Sequence, residues 1–127
     1  MSKISTIRPR IKDLNALEAA VRDMGGVLIR DQKTYRQYGS MTRDCDHAIS
    51  FQDERMEMGL IKQDNGEYEL EYDHMLDRKV GHGAGKLMDK YNMKKSFSEA
   101  IAMGYGASEY KVEEDGTHEM VVYVTEF

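Results

Sequence analysis

The chain has 127 residues and a mass of 14.6 kDa, with 40% hydrophobic and 32% charged residues and a single proline. That predicts one domain over 1–127, large enough for a two-layer core and too regular in its apolar periods for a disordered chain. One cysteine, Cys45, excludes an internal disulfide and a four-cysteine zinc site. The net charge of −5 is uneven, with nine Lys/Arg against six Asp/Glu in residues 1–50 and nine against seventeen in 51–127, which argues against general duplex binding.

The opening Met1-Ser2-Lys3-Ile4-Ser5 lacks the apolar run of a signal peptide, and Ser2 stands where N-myristoylation needs glycine. No apolar stretch approaches the ~18 residues of a membrane span. The expected compartment is therefore a reducing cytoplasm, that of a host cell if the protein is viral. Residues 3–8 alternate weakly as a strand, and Pro9 marks its end or a sheet edge. Asp13 is a good N-cap for a helix whose buried stripe is Leu14, Leu17, Ala20, Val21 and Met24, and Gly25-Gly26 stops it. Val27-Leu28-Ile29 reads as a short strand. Residues 31–44, polar and tyrosine-containing, read as a loop or ragged strand.

Cys45, His47, Ile49 and Phe51 then alternate with polar or small residues at strand period, as do Met56, Met58 and Leu60. Asn65-Gly66 is a two-residue hairpin signal. The strand after it is the clearest in the chain, with Tyr68, Leu70 and Tyr72 on one face and Glu67, Glu69, Glu71 and Asp73 on a solvated one. Residues 77–86 form a glycine-rich loop. A helix follows to about Met103, with Leu87, Tyr91, Phe97, Ala100 and Ile101 inward, Asn92 as a weak point, and Gly104 and Gly106 as its stop. A last hairpin turns at Asp115-Gly116, between Tyr110-Val112 and Met120-Val124. The fold class expected is α+β, a mostly antiparallel sheet of about five to seven strands with two helices packed on one face.

Four groups of residues have chemical possibilities. Gly81, Gly83, Gly85 and Lys86, with Arg78 and Lys79 just before them, resemble an anion cradle in front of a helix. The stretch is not a Walker A motif, because Val80 and Leu87 stand where glycine and Ser/Thr are required, and the bland reading is a glycine-rich surface loop. Arg78, Lys79, Lys86, Lys90, Lys94 and Lys95 also form a basic run opposed only by Asp89, a pattern that usually marks a solvated face. Asp44, Cys45, Asp46, His47 and His74 are metal-ligand types at poor spacing, and Cys45 and His47 read instead as core positions. The acidic row 67–73 reads as solvated and protective of a sheet edge rather than catalytic. Tyr35, Arg36, Tyr38, Met41 and Arg43 combine tyrosine, methionine and arginine in one polar loop, the composition of an interface.

Several stretches taken together resemble a known family. They are Ile7-Arg8 with Ile11-Lys12-Asp13-Leu14, Leu17, Ala20 and Met24-Gly25, then Arg36 with Tyr38-Gly39, Ala48-Ile49 and Met58-Gly59-Leu60. Gly66-Glu67-Tyr68-Glu69-Leu70, Asp73, Tyr91, Gly104, Asp115-Gly116 and Val121-Val122 follow in order. The chain resembles a small family of unknown function, known as a conserved open reading frame of algal chloroplasts and cyanobacteria and found also in bacteria and tailed phages. That resemblance implies a small protein of the cytosol or stroma, sometimes encoded near an ATPase, and brings no catalytic residue. Lys3 replaces a frequent histidine, Gln37 a frequent glycine, and no tryptophan follows Asp73-His74-Met75. These departures lean toward a divergent, phage-borne member. With no complete catalytic set, the expected function is a non-catalytic accessory protein, without cofactor or metal, engaging a protein partner through Tyr35, Arg36, Tyr38, Met41 and Arg43. The alternative is a binder of a nucleotide or other phosphate-bearing small molecule through Arg78, Lys79, Gly81, Gly83, Gly85 and Lys86.

Overall fold

A computed structural model describes residues 4–112 and 118–124. Among the described residues the chain forms, in order, β1 (Ile4–Ile11), α1 (Leu14–Asp23), β2 (Gly26–Arg30), β3 (Thr34–Arg36), β4 (Thr42–Asp44), β5 (His47–Phe51), β6 (Glu57–Lys62), β7 (Tyr68–Asp73), α2 (Asp77–Val80), α3 (Gly85–Ala102), β8 (Tyr105–Val112) and β9 (His118–Val124). The α+β class and the antiparallel pairing agree with the sequence. The strands divide among three sheets rather than one. A five-stranded sheet has the order β1-β7-β6-β5-β2, and β3-β4 and β8-β9 are separate pairs. A third, short helix is added to the two expected.

The central meander β5-β6-β7 is antiparallel throughout, with Ile49 opposite Met58 and Met58 opposite Tyr72. Its second turn falls at the expected Asn65-Gly66 but is longer than a two-residue loop: the Gln63 N–H donates to the Glu67 carbonyl at 2.7 Å, Gly66 takes a left-handed φ of 84°, and the Asn65 side chain accepts the Glu67 N–H at 2.9 Å. β2 and β1 add at the two edges. Pro9 falls where the β1–β7 register shifts, on an edge strand that needs no donor from it.

One face of this sheet holds the main core. Leu28, Ile49, Phe51, Met58, Leu60, Leu70 and Tyr72 pack against Ala16, Leu17, Ala20 and Val21 of α1 and Leu87 and Tyr91 of α3. Each fully buried Leu or Ile contributes ~1.5–3 kcal/mol relative to exposure, so this layer carries most of the fold's stability. Asp13 caps α1 by accepting the Ala16 N–H at 3.0 Å. The Tyr91 hydroxyl accepts the N–H groups of Lys12 and Asp13, at 3.1 and 3.3 Å, and so seals the β1–α1 turn. α3 runs through Asn92 without a break. Beyond Tyr91 it has no fully buried side chain among the described residues: Phe97 and Ala100 are half-buried and Ile101 is exposed. There the helix has left the main core, and it also contacts β8 and β9. It ends before Gly104, and Gly106 lies inside β8 rather than at the helix stop. The expected turn at Asp115-Gly116 lies outside the described residues.

The second face departs most from expectation. Of the two readings of residues 31–44, loop or ragged strand, the second holds: 34–44 form the β3–β4 hairpin, joined through a 3-10 turn at Tyr38–Ser40, and it lies over the sheet. Tyr35, Cys45 and Ala48 form a second small core with Ile61. The sheet makes room at Gly59, where a side-chain carbon would stand 2.4 Å from the Tyr35 ring. Cys45 therefore belongs to this face, while His47 alternates with Ile49 and Phe51 on the other. The acidic row is not simply solvated either. Glu71 is half-buried and accepts both the Tyr35 hydroxyl and the Arg43 Nε–H, each at 2.7 Å. Asp73 is fully buried and accepts the Met75 N–H at 3.0 Å.

Candidate functional site

The hairpin positions a cleft of about 900 Å³ at the starting end of β6. Its walls are the hairpin tip at 36–39, the β5–β6 turn at 53–56, and Met75 and Arg78 from the segment after β7. Each wall is held by a specific contact. Buried Glu57, at the first position of β6, accepts the Arg36 N–H at 2.9 Å and lies 3.6 Å from its guanidinium. Arg36 Nε–H also donates to the Arg55 carbonyl at 3.1 Å, tying the hairpin to the turn. Arg78 donates twice to Glu54, at 2.6 and 3.2 Å, and ties the turn to α2. That pairing raises the Arg78 pKa, and the hydrogen bond from Lys79 to Asp53 holds the Asp53 carboxyl below its usual range.

The loop residues separate into supports and exposed groups. Tyr35, expected to touch a partner, is fully buried: its ring fills the space over Gly59 and its hydroxyl is held by Glu71. Burial, then that hydrogen bond, pushes its pKa up, so it stays a neutral donor. Arg43 shares the same Glu71 oxygen and steadies the hairpin. Tyr38 and Met41, at 56% and 65% exposure, are the apolar groups the tip presents, and Met75 is exposed on the facing wall. Gly39 takes a φ of 75°, which lets the tip turn between Tyr38 and Met41.

The glycine-rich segment, read as a surface loop before a helix or else an anion cradle, is not one open loop. It joins α2 to α3 through a short 3-10 turn. Arg78 and Lys79 are already paired with Glu54 and Asp53, and the Lys79 ammonium lies 5.5 Å over the Phe51 ring. Gly81 has a φ of 85° and is crowded by Lys86, whose backbone nitrogen would stand 2.9 Å from an added side chain. Gly83 is left-handed at φ 58°, and Gly85 opens α3. These glycines fold the segment back on itself. Arg78 joins Arg36 and Tyr38 at the cleft, while Lys86 does not line it.

Sequence reasoning missed the 53–56 turn and Met75. The run Gln52-Asp53-Glu54-Arg55 has the composition of any turn, so only its position in the fold marks it. Cys45 is not poised for chemistry: burial, with Asp46 and Glu57 adding to it, pushes its thiol up to about 11, and Sγ donates to the Gln32 carbonyl at 3.2 Å. Among the described residues no three His, Cys, Asp or Glu side chains are arranged to hold a metal ion, and no helix is long and apolar enough to cross a membrane.

A family model described as a protein of unknown function (DUF1257) matches residues 20–121. No curated protein and no solved structure matches the chain.

Proposed function

Because this chain belongs to the DUF1257 family, whose function is unknown, we propose its role from the cleft: a non-catalytic binding protein that engages a protein partner there. The observation that carries this reading is the gathering of exposed Tyr38 and Met75 in the cleft, beside Arg36, Arg55 and Arg78, with Met41 exposed on the same hairpin. Exposed tyrosine, methionine and arginine on a held framework is the composition of a protein interface. Arg36 and Arg78 are paired with acidic residues of the chain itself, whereas Arg55 has no ion pair among the described residues. The cleft thus suits a segment with an apolar side chain for Tyr38 and Met75 and a carboxylate for Arg55. The partner is a macromolecule of the cytoplasm. The changes at Lys3, Gln37 and the missing tryptophan support a phage-borne member acting in its host. The phosphate reading is weaker, because Arg78 and Lys79 are occupied by Glu54 and Asp53.

The test has two stages. A partner captured from host lysate is purified and its affinity measured directly. Tyr38→Ala is expected to weaken binding ~30-fold, the cost of losing a central aromatic anchor, and Arg55→Glu to weaken it ~10-fold or more. Lys86→Ala should leave it unchanged. A partner indifferent to Tyr38 and Arg55 overturns the proposal. So does a nucleotide-induced rise in melting temperature that Lys86→Ala abolishes.

A further inference from the structure

β6 runs from the cleft to a second cavity at its other end, of about 500 Å³. Lys12, Asn15, Arg30, Lys62 and Tyr68 line it, drawn from the β1–α1 turn, α1, β2, β6 and β7. Asp13 also lines it, but its Oδ1 is occupied by the Ala16 N–H. The Lys12 ammonium is 3.5 Å from Glu67, and Arg30 donates to Asn15 at 2.8 Å and lies 3.9 Å from Glu18. Lys62 has no ion pair among the described residues, although its backbone N–H donates to Asp46. Three cations thus line the cavity against one acidic lining residue, Asp13, and of the three only Lys62 has no carboxylate of the described residues beside its charge.

The decisive detail is a proton. His47 Nδ1 accepts the Asp31 N–H at 2.9 Å, and its Nε2 lies 3.4 Å from the Tyr68 hydroxyl. A neutral imidazole carries one N–H. With Nδ1 accepting, that proton is on Nε2 and is donated to the Tyr68 oxygen. The hydroxyl's own proton is then left for another acceptor. Tyr68 is only 9% exposed, and no second partner takes that proton among the described residues.

We propose that this cavity binds a small anion bearing a carboxylate or phosphate group. Tyr68 donates its hydroxyl proton to one oxygen, Lys62 supplies the principal charge, and Lys12 and Arg30 flank it. Charge-assisted hydrogen bonds of this kind are about twice as strong as neutral ones, and the volume suits a small molecule. The site is separate from the cleft and stands or falls independently of the protein-partner reading.

The experiment is an amide-resolved titration of the whole chain with pyrophosphate and with citrate, against sodium chloride at matched ionic strength. A saturable response near Asp31 and Tyr68 is expected, weakened about 10-fold by Lys62→Met and by Tyr68→Phe and unchanged by Lys86→Gln. Response to pyrophosphate alone assigns a phosphate ligand, and to citrate alone a carboxylate. No saturable response to either probe by about 10 mM overturns the proposal. So does a response indifferent to Lys62 and Tyr68, or one lost in Lys86→Gln. If Tyr68→Phe fails to fold, Lys62→Met, which alters an exposed side chain, decides.

Discussion

Gly59→Ala should dislodge the β3–β4 hairpin. The added carbon would stand 2.4 and 2.6 Å from two carbons of the Tyr35 ring and 3.1 Å from the Cys45 Cβ. Carbon atoms rest at about 3.5–4.0 Å, so the ring must retreat by roughly 1 Å. It cannot do so while its hydroxyl stays 2.7 Å from Glu71. Overfilling a core costs about 1–3 kcal/mol, and weakening a hydrogen bond to a carboxylate about 1.5–3 kcal/mol. A loss of about 3 kcal/mol is expected, a shift of roughly 100-fold in the unfolding equilibrium. For a chain of this length the melting temperature should fall by about 10 °C. Urea unfolding followed by far-ultraviolet circular dichroism measures it in a protein that has no tryptophan. The same substitution in a Tyr35→Ala background should cost under about 1 kcal/mol, because the ring it strikes is gone. A cost below about 1 kcal/mol in the native background, or one undiminished without Tyr35, refutes the reasoning.

Two further outcomes follow from the hydrogen bonds. Tyr91→Phe removes the acceptor shared by the Lys12 and Asp13 N–H groups and should cost about 1–3 kcal/mol in urea unfolding, with the α1 amides losing hydrogen-exchange protection first. Stability should also depend on His47. Burial, with Lys33 and Arg30 adding to it against Asp31 and Asp46, lowers its pKa from the ordinary 6.5. Between the lowered folded value and the unfolded one, the unfolded chain binds more protons, so stability rises with pH. The contribution is complete above the unfolded value, falls as pH drops through 6.5 toward the folded value, and then levels. His47→Asn, which retains an acceptor for the Asp31 N–H, should flatten this part of the profile. Identical pH profiles of the urea midpoint for the two proteins would refute it.

What the sequence made legible was whatever one face of one element could announce. The α1 stripe, the strands β5 to β7 and the turn at Asn65-Gly66 each depend on neighbours a few residues apart, and each falls where the sequence places it, although Cys45 sits on the face opposite Ile49 and Phe51 and Asp73 is buried. The β3–β4 hairpin was illegible because its strands are three residues long and mostly polar. It is held by a side chain that Gly59 lacks and by Glu71, 36 residues from Tyr35. The same physics hid the cleft. Arg36 and Arg78 stood in the sequence as members of two unrelated candidate sites. Only the turn at 53–56, through the Arg55 carbonyl and the Glu54 carboxylate, brings them to one place.

The Tyr91 hydroxyl that seals the β1–α1 turn reaches back across 79 residues, and this sets an order of events during synthesis. On the ribosome, β1 and α1 emerge before any of their partners exist. The β5-β6-β7 meander closes through short turns and is free to form as soon as it clears the exit channel, with β2 already at hand. β1 must wait for β7, and its turn into α1 for α3. β1 is thus made well before it is locked, and for that interval an unpaired strand is offered to any neighbouring chain. A proline at position 9, with Arg8 and Arg10 beside it, withholds a donor and adds charge where such a strand would otherwise recruit the wrong partner.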